Sequence, residues 1–534
     1  MKKTLALILA VVMTVALVAC GGGGGTTSSA GSTSEPKQGT DIKDVQQGGP
    51  TDIQQGVEYV EDLIIAMDNK ATSSDPQVGS NVHHVTIFNM NYNQLIEYDW
   101  VNQTFKPELA TEWSVSDDGL TWTFKLRQDV VFHNGEKMTA DDVVFTFERA
   151  LATGTSGAST YKKIESVTAN GDYEVSMKLK AADADWLFNL RQAPCSILNR
   201  EAVEKDPDKG YEIGTGGWKL DSWVSGDYNL YTRFDESWVW IDNPLTPTKS
   251  IKFVTMSESS ARAVATQTGE VHMNNNVEMI DVPVLKADAN LKTEVLNADL
   301  IEFIGFNNEK GPTTDVNLRN AIAYAIDVQE ILDIYQEGYG TPCTSFWGPS
   351  QYGLYTDYEQ PLEYNLELAK EYLAKSAYPN GVELELVALS NTENQTALIQ
   401  AQLAKIGITV TINGVDSTGL GEICKSKDYD FFVYNKTCGP QGDQFRSILT
   451  YGNNTNRGHY NNARVMELLD LGLSEMDETK RLAYYKELQE ITHEEMPYRP
   501  LYWGTRGYAW NKNASGMIFC GDLKNDYTFL VCTK

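Results

Sequence analysis

Residues 120–127, LTWTFKLR, alternate apolar and polar positions, with Trp122, Phe124 and Leu126 on one face and Thr121, Thr123 and Lys125 on the other. The same period of two returns in YEVSMKLK at 173–180, through Tyr173, Val175, Met177 and Leu179. Side chains alternate between the faces of a strand, so both segments read as strands with one buried side. Between them MTADDVVFTFERAL changes to helical spacing, with Val143, Phe147 and Leu151 in one stripe, Thr139 as N-cap and acids in the first turn. A turn at His133-Asn134-Gly135 separates strand from helix.

Later segments repeat the helical signal. DVNLRNAIAYAIDVQEILDIYQEG predicts one long helix, capped by Asp315, stopped by Gly338 and burying Leu318, Ile322, Ala325, Val328 and Leu332. NQTALIQAQLAKIG predicts a helix ended by Gly407, followed by a strand in which Ile408, Val410 and Ile412 alternate with threonines. DETKRLAYYKELQEITHEEMP predicts a last helix between Asp477 and Pro497. Helix-then-strand units imply an α/β architecture in which helices cover a sheet.

The amino end follows a different pattern. Lys2 and Lys3 precede Leu5–Ala19, an apolar run in which only Thr14 is polar. It is short for a membrane span and reads as an export signal, residues 1–19. Leu17-Val18-Ala19-Cys20 resembles the lipobox of bacterial lipoproteins, which implies a lipid on Cys20. Residues 20–56 are mostly Gly, Ser, Thr, Gln and Pro, a composition expected to form a flexible tether of roughly 35 Å.

The chain's 534 residues are enough for two or three lobes with their own cores. A formal charge of −29 repels phosphate backbones and disfavours nucleic acid as a partner. No later stretch reaches eighteen apolar residues. Besides Cys20 there are Cys195, Cys343, Cys424, Cys438, Cys520 and Cys532, with no CxxC spacing; Cys520 and Cys532, both near the end, are the candidate disulfide pair. Among six histidines only His83 and His84 adjoin, and neighbours on a helix make a poor chelating pair, so no metal or cofactor is expected.

Taken in order, NQLIEYD (93–99), PELATEWSVSDDGLTWTFKLRQDVVFHNGEKMTADDVVFTFERAL (107–151), IGTGGWKLDSW (213–223), VATQTGEVH (264–272), FIGFNNEKGPTTDVNLRNAIAYAID (303–327) and GYAWNKNASGM (507–517) resemble the family 5 extracellular solute-binding proteins of ABC importers, the oligopeptide, dipeptide and nickel group. The resemblance implies an α/β fold of two lobes of the Venus-flytrap type, in its large peptide-binding form. The first lobe would comprise 57–302 completed by 500–534, and the second 303–499. It further implies a monomer outside the cell, tied to a membrane through Cys20, that traps a solute between its lobes and presents it to an ABC transporter permease.

Peptide binders of that family hold the ligand's amino end with an aspartate in a motif similar to Trp-x-Gly/Ala-Asp. In YDFFVYNKTCGPQGDQFRSIL (429–449), Thr437 stands at the tryptophan, Pro440 at the aspartate and Asp443 at a second acidic position. The expected ligand residues are Tyr434, Asn435, Lys436, Cys438 and Asp443, with Tyr502 and Trp503 opposite. Lys436 is suited to a ligand carboxylate. An oligopeptide is the favoured ligand; an oligosaccharide stacked on Trp347, Tyr502, Trp503 or Trp510, or a metal chelate, is the alternative.

Enzyme signatures are weak. HEEMP at 493–497 has Pro497 where a zinc-protease helix has its second histidine, GTGGWK at 214–219 lacks the ending of a phosphate loop, and no G-x-S-x-G occurs. A binding protein is expected, and a secreted hydrolase is the remote alternative.

Overall fold

Two strands exceed all others in length, Leu291–Phe306 with 16 residues and Tyr498–Asn511 with 14. They pair antiparallel in the middle of an eleven-stranded sheet. The computed structural model describes residues 37–71, 73–78, 86–153, 161–348, 351, 353–439, 441 and 445–534. Beside the Phe306 end lie Phe431–Thr437, Val382–Leu389 and Ile408–Val415, the last three mutually parallel. Beside the other end lie Met273–Val277, Asp62–Met67 and Ser250–Thr255, also parallel, and then the antiparallel Tyr228–Arg233 and Trp218–Val224.

Separate apolar cores form around these halves. Ile301, Phe303, Phe306, Phe431, Phe432, Leu501 and Trp503 belong to the two cores flanking one half. Leu296, Tyr508 and Trp510 join Leu63, Ile65, Ile251 and Phe253 in the other. The chain therefore crosses between lobes twice, each time inside one of the long strands. The fold is two-lobed and α/β.

A further sheet in the first lobe contains Ala110–Val115, Thr121–Leu126, Glu174–Leu179 and Ile164–Ala169. Trp122 faces Met177 and Phe124 faces Val175, so the two alternating segments bury their apolar sides together. Helix Ala140–Thr153 covers this sheet through Val143 and Phe147. Its start is fixed by the Asp142 carboxylate, which accepts from the Thr139 amide at 2.9 Å. The helix Glu393–Ala404 and strand Ile408–Val415 follow the expected order, with Gly407 at a positive φ of 85° between them. Asp477 caps Glu478–Glu495 by accepting from the Lys480 amide.

The long helix expected from Asp315 to Gly338 is instead two helices, Val316–Ala325 and Val328–Tyr335. Asp327 starts the second by accepting from the Glu330 amide, while its own amide donates to the Gln402 side chain. A local cap with a distant partner thus outweighs unbroken apolar spacing. Cys195, Cys343, Cys424, Cys438, Cys520 and Cys532 are all free, which corrects the Cys520–Cys532 expectation. Cys532 is held in a two-residue strand opposite Ala514, with its thiol directed at the Thr533 carbonyl.

The expected tether is also corrected. Cys20 lies outside the described residues, but residues 37–53 lie on the body instead of hanging free. The Thr40 amide donates to Val295 O at 2.8 Å and the Asn297 amide to Thr40 O at 2.9 Å, pairing with an edge of the long strand that no other described strand covers. The Gly48 amide donates to Met517 O at 2.7 Å, and a Cβ at Gly48 would collide with the Gly516–Met517 backbone. Ile42 and Val45 pack against the first-lobe core. Composition signalled coil because the contacts are made largely by backbone and by polar side chains such as Lys37, Asp41 and Gln47, beside the apolar Ile42 and Val45. A protein beginning at residue 57 should melt on the order of a few °C below one beginning at residue 37, as read by differential scanning calorimetry; equal melting temperatures would show that the strap contributes nothing.

Candidate functional site

In open α/β sheets, ligands lie outside the carboxyl ends of parallel strands, where chains turn away and leave backbone and polar side chains facing solvent. Both lobes have such a rim. In the first lobe the parallel strands end at Met67, Thr255 and Val277. Asp68 follows directly; its carboxylate accepts from Asn276 Nδ2 at 2.8 Å and lies 3.4 Å from Arg506 of the crossing strand. Asp68 and Arg506 keep 21% and 17% of their side chains exposed, so the pair borders open space. Beneath it Arg262 is buried and donates to the carbonyls of Met256, Ser257 and Asn276, tying two strand ends together.

In the second lobe the parallel strands end at Leu389, Val415 and Thr437. Helix Glu393–Ala404 begins beside the first end, bringing Gln395 over the sheet. Glu302, on the crossing strand, lies between Asn435 on one side and Tyr502 on the other. Burial pushes the Glu302 carboxyl up to about 8, against the pull of hydrogen bonds from Asn435 and Gln395. Gln395 donates to the Tyr502 phenol at 3.3 Å. Burial also raises the Tyr335 phenol to about 12, helped by Glu302 and by Glu278 of the first lobe.

Between the rims the crossing strands slip. Asn297 faces Thr505, but the next pair is Ile301 with Trp503, so Ala298, Asp299 and Leu300 stand opposite Gly504. Asp299 is tied from both lobes: its amide donates to Gly521 O at 2.8 Å and its carbonyl accepts from the Cys438 amide at 2.6 Å. A second slip separates Glu302–Tyr502 from Phe303–Pro500. Pro500 has no N–H for the ladder, and a central strand accommodates proline only at such a bulge. Away from these strands the lobes touch again, the Ala184 amide donating to Leu473 O at 2.9 Å.

The expected ligand residues are distributed unevenly over this geometry. Tyr434 is half-buried under the Arg457 guanidinium, 4.0 Å from its ring centre. Asn435 and Lys436 are half-buried at the second-lobe rim, facing Glu302 and Ile301 across the sheet. Cys438 is buried and its thiol is pushed up to about 12 by burial, so it stays a neutral packing group. Asp443 and Pro440 lie outside the described residues, as do His83 and His84.

The structure places Trp347, Tyr502 and Trp503 among core side chains, with Tyr502 directly opposite Glu302. They are 2%, 3% and 7% exposed and belong to the second-lobe core, with Trp347 edge-on to Phe445 and Trp503 lying against Gly348. Trp510 lies in the first-lobe core beside Phe519. Aromatic content alone does not distinguish a ring that packs from one that waits for a ligand. Glu302, Gln395, Asp68 and Arg506 were missed; the available signal was an acid inside the otherwise apolar LIEFIGF.

Among the described residues no group of three or more His, Cys, Asp or Glu is placed to hold a metal ion, and no helix is long and apolar enough to cross a membrane. The Glu302 carboxyl has a pH signature. Its folded affinity for protons exceeds that of a free glutamate at 4.5, so the stability it contributes is present at low pH and is lost as pH rises towards about 8. Relative to the natural protein, Glu302→Gln should gain ~2–4 kcal/mol of stability between pH 5 and pH 8, read by urea unfolding at both values. A constant difference would show that Glu302 is ionised at ordinary cost.

Comparison with known proteins agrees with this architecture. Residues 104–457 match the family described as bacterial extracellular solute-binding proteins, family 5. The chain is 26% identical to heme-binding protein A of Haemophilus influenzae, over 77% of this chain and 81% of that one. It is also 26% identical to glutathione-binding protein GsiB of Escherichia coli, over 86% and 92%. The periplasmic binding protein DppA of Helicobacter pylori, solved with the peptide STSA, superposes with a TM-score of 0.77 at 24% identity, covering 89% of this chain and 99% of that one. The chain thus belongs to the family 5 solute-binding proteins, which serve ABC importers.

Proposed function

We propose that this protein captures an oligopeptide between its two lobes and hands it, unaltered, to an ABC permease, acting as a monomer outside the cell and held at a membrane by a lipid on Cys20. The observation that carries the reading is the pair of polar rims, Asp68, Asn276 and Arg506 against Glu302, Asn435 and Lys436, joined by strands that slip between them. A ligand touching both rims favours the closed arrangement by the difference in its affinity for closed and open states. Main-chain amides and carbonyls of a peptide suit the neutral rim amides, and the charged rim residues suit its ends. Glutathione, named in the description of one relative, is itself a tripeptide.

The oligosaccharide alternative finds less support, since Trp347, Tyr502, Trp503 and Trp510 have most of their surface packed against protein. Tyr434 is the rim aromatic, and Arg457 covers its ring. A metal chelate remains the second alternative.

A thermal-shift screen of residues 37–534 against pooled short peptides, oligosaccharides and nickel–histidine chelates tests the ligand class. Peptides should raise the melting temperature, by a stabilisation of about 2.7 kcal/mol at a hundredfold excess over Kd. A shift with oligosaccharides or chelates alone contradicts the peptide reading, and mass spectrometry finding cleaved peptides contradicts the binding reading. The full chain made in a bacterial host should partition with membranes and carry a diacylglycerol mass that Cys20→Ala abolishes; an unlipidated wild-type chain would contradict the anchor.

A further inference from the structure

Several buried charges of this protein are paired, Asp75 with Arg149, Asp183 with Lys163, and Asp522 with Arg191 and Lys524. Arg262, Arg319 and Arg499 are buried, yet their guanidinium groups donate to backbone carbonyls on neighbouring elements. Glu302 is 7% exposed, and the described groups acting on its carboxyl are the Asn435 and Gln395 side chains, with no Lys, Arg or His among them. The groups facing it are the side chains of Asn435 from the neighbouring strand, Gln395 from helix Glu393–Ala404, Tyr502 from the other crossing strand and Tyr335 from helix Val328–Tyr335. Glu278 of the first lobe acts on Tyr335 from across the cleft. None of these supplies a positive charge.

A second acceptor beside it is also unmatched. Gln395 is fully buried, its amide nitrogen is directed to the Tyr502 phenol, and its Oε1 has no hydrogen-bond partner. A buried acceptor without a donor is rare in a folded protein, and a buried carboxylate without a counter-charge is costly. Both are buried beneath the rim of the second lobe, beside the slip where the crossing strands enter it. What the cluster lacks is a group with several N–H donors and a positive charge.

We infer that Glu302 is the receptor for an amine of the ligand. This rests on the reading of the cleft between the rims as the ligand site. In the empty protein at neutral pH the carboxyl keeps its proton, since burial raises its proton affinity. When an ammonium arrives, the carboxyl releases that proton to the buffer and the carboxylate remains opposite the ammonium, with Gln395 Oε1 able to accept from it. Capture is therefore coupled to proton release, which a purely structural glutamate would not show.

The experiment is isothermal titration of the natural protein and of Glu302→Gln with pooled short peptides bearing free amines, and with the same peptides acetylated at every amine. It is run at pH 7 in two buffers of different ionisation enthalpy, and melting curves confirm that the variant is folded. The expected result is that the natural protein prefers the free amines by about tenfold or more and releases a proton on binding them. Glu302→Gln should lose both the preference and the proton release. Equal binding of both sets would overturn the inference while leaving the peptide reading intact, as would a preference that survives in Glu302→Gln. Should Glu302→Gln fail to fold, proton release by the natural protein decides: its absence on binding free amines overturns the inference. Binding of neither set would sink the peptide reading and the inference with it.

Discussion

Everything in this protein depends on the antiparallel pairing of Leu291–Phe306 with Tyr498–Asn511, because the described chain passes between its two lobes inside that pair. A connection of two strands must satisfy its backbone groups while leaving the lobes able to move. The slip opposite Gly504 meets both needs. It breaks the ladder where bending is required, and it anchors the freed groups of Asp299 to Gly521 on one side and to Cys438 on the other. Gly504 presents no side chain to this junction, and Pro500, one slip further on, withdraws a donor where the ladder has already parted. The rims that face each other across the junction follow from the parallel strands on either side, whose carboxyl ends all point towards it.

The treatment of charge follows the same division between framework and cleft. Arginines inside the lobes saturate carbonyls at strand and helix ends; Arg499, lowered to about 10 by burial, still holds its proton and donates to Ala323 O. At the rims, polar groups are paired loosely, as with Asp68 and Arg506 at 3.4 Å, or lack a charged partner, as with Glu302. Guanidinium groups inside the lobes are tied to several carbonyls, whereas the rim groups keep capacity for a new partner. The amino-terminal strap belongs to the framework, since it closes the edge of the crossing strand at Val295 and Asn297.

Much of the fold was legible in the residues. The alternation in LTWTFKLR and YEVSMKLK placed two strands whose apolar faces meet, and Asp477 and Gly407 marked helix boundaries that the structure keeps. Signals that depend on partners far along the chain were not legible. Asp327 breaks a helix because Gln402 is beside it, and residues 37–53 are ordered because the body offers an uncovered strand edge. The site was the least legible part. Trp347 and Trp503 are indistinguishable by type from ligand-facing rings, and only packing around Phe445 and Gly348 assigns them to the core. The charge in LIEFIGF stood out in an apolar run, but its lack of a counter-ion is a property of three dimensions.

Whether the lobes close upon a ligand is the central question, and the bond from the Ala184 amide to Leu473 O, which spans the lobes at 2.9 Å away from the crossing strands, reports on it directly. Hydrogen exchange at the Ala184 amide should be fast in the empty protein, where opening breaks this bond, and slower by about tenfold or more when a ligand is bound. If a ligand that binds leaves Ala184 exchange unchanged while other amides respond, the lobes do not close around it and the trap account is wrong.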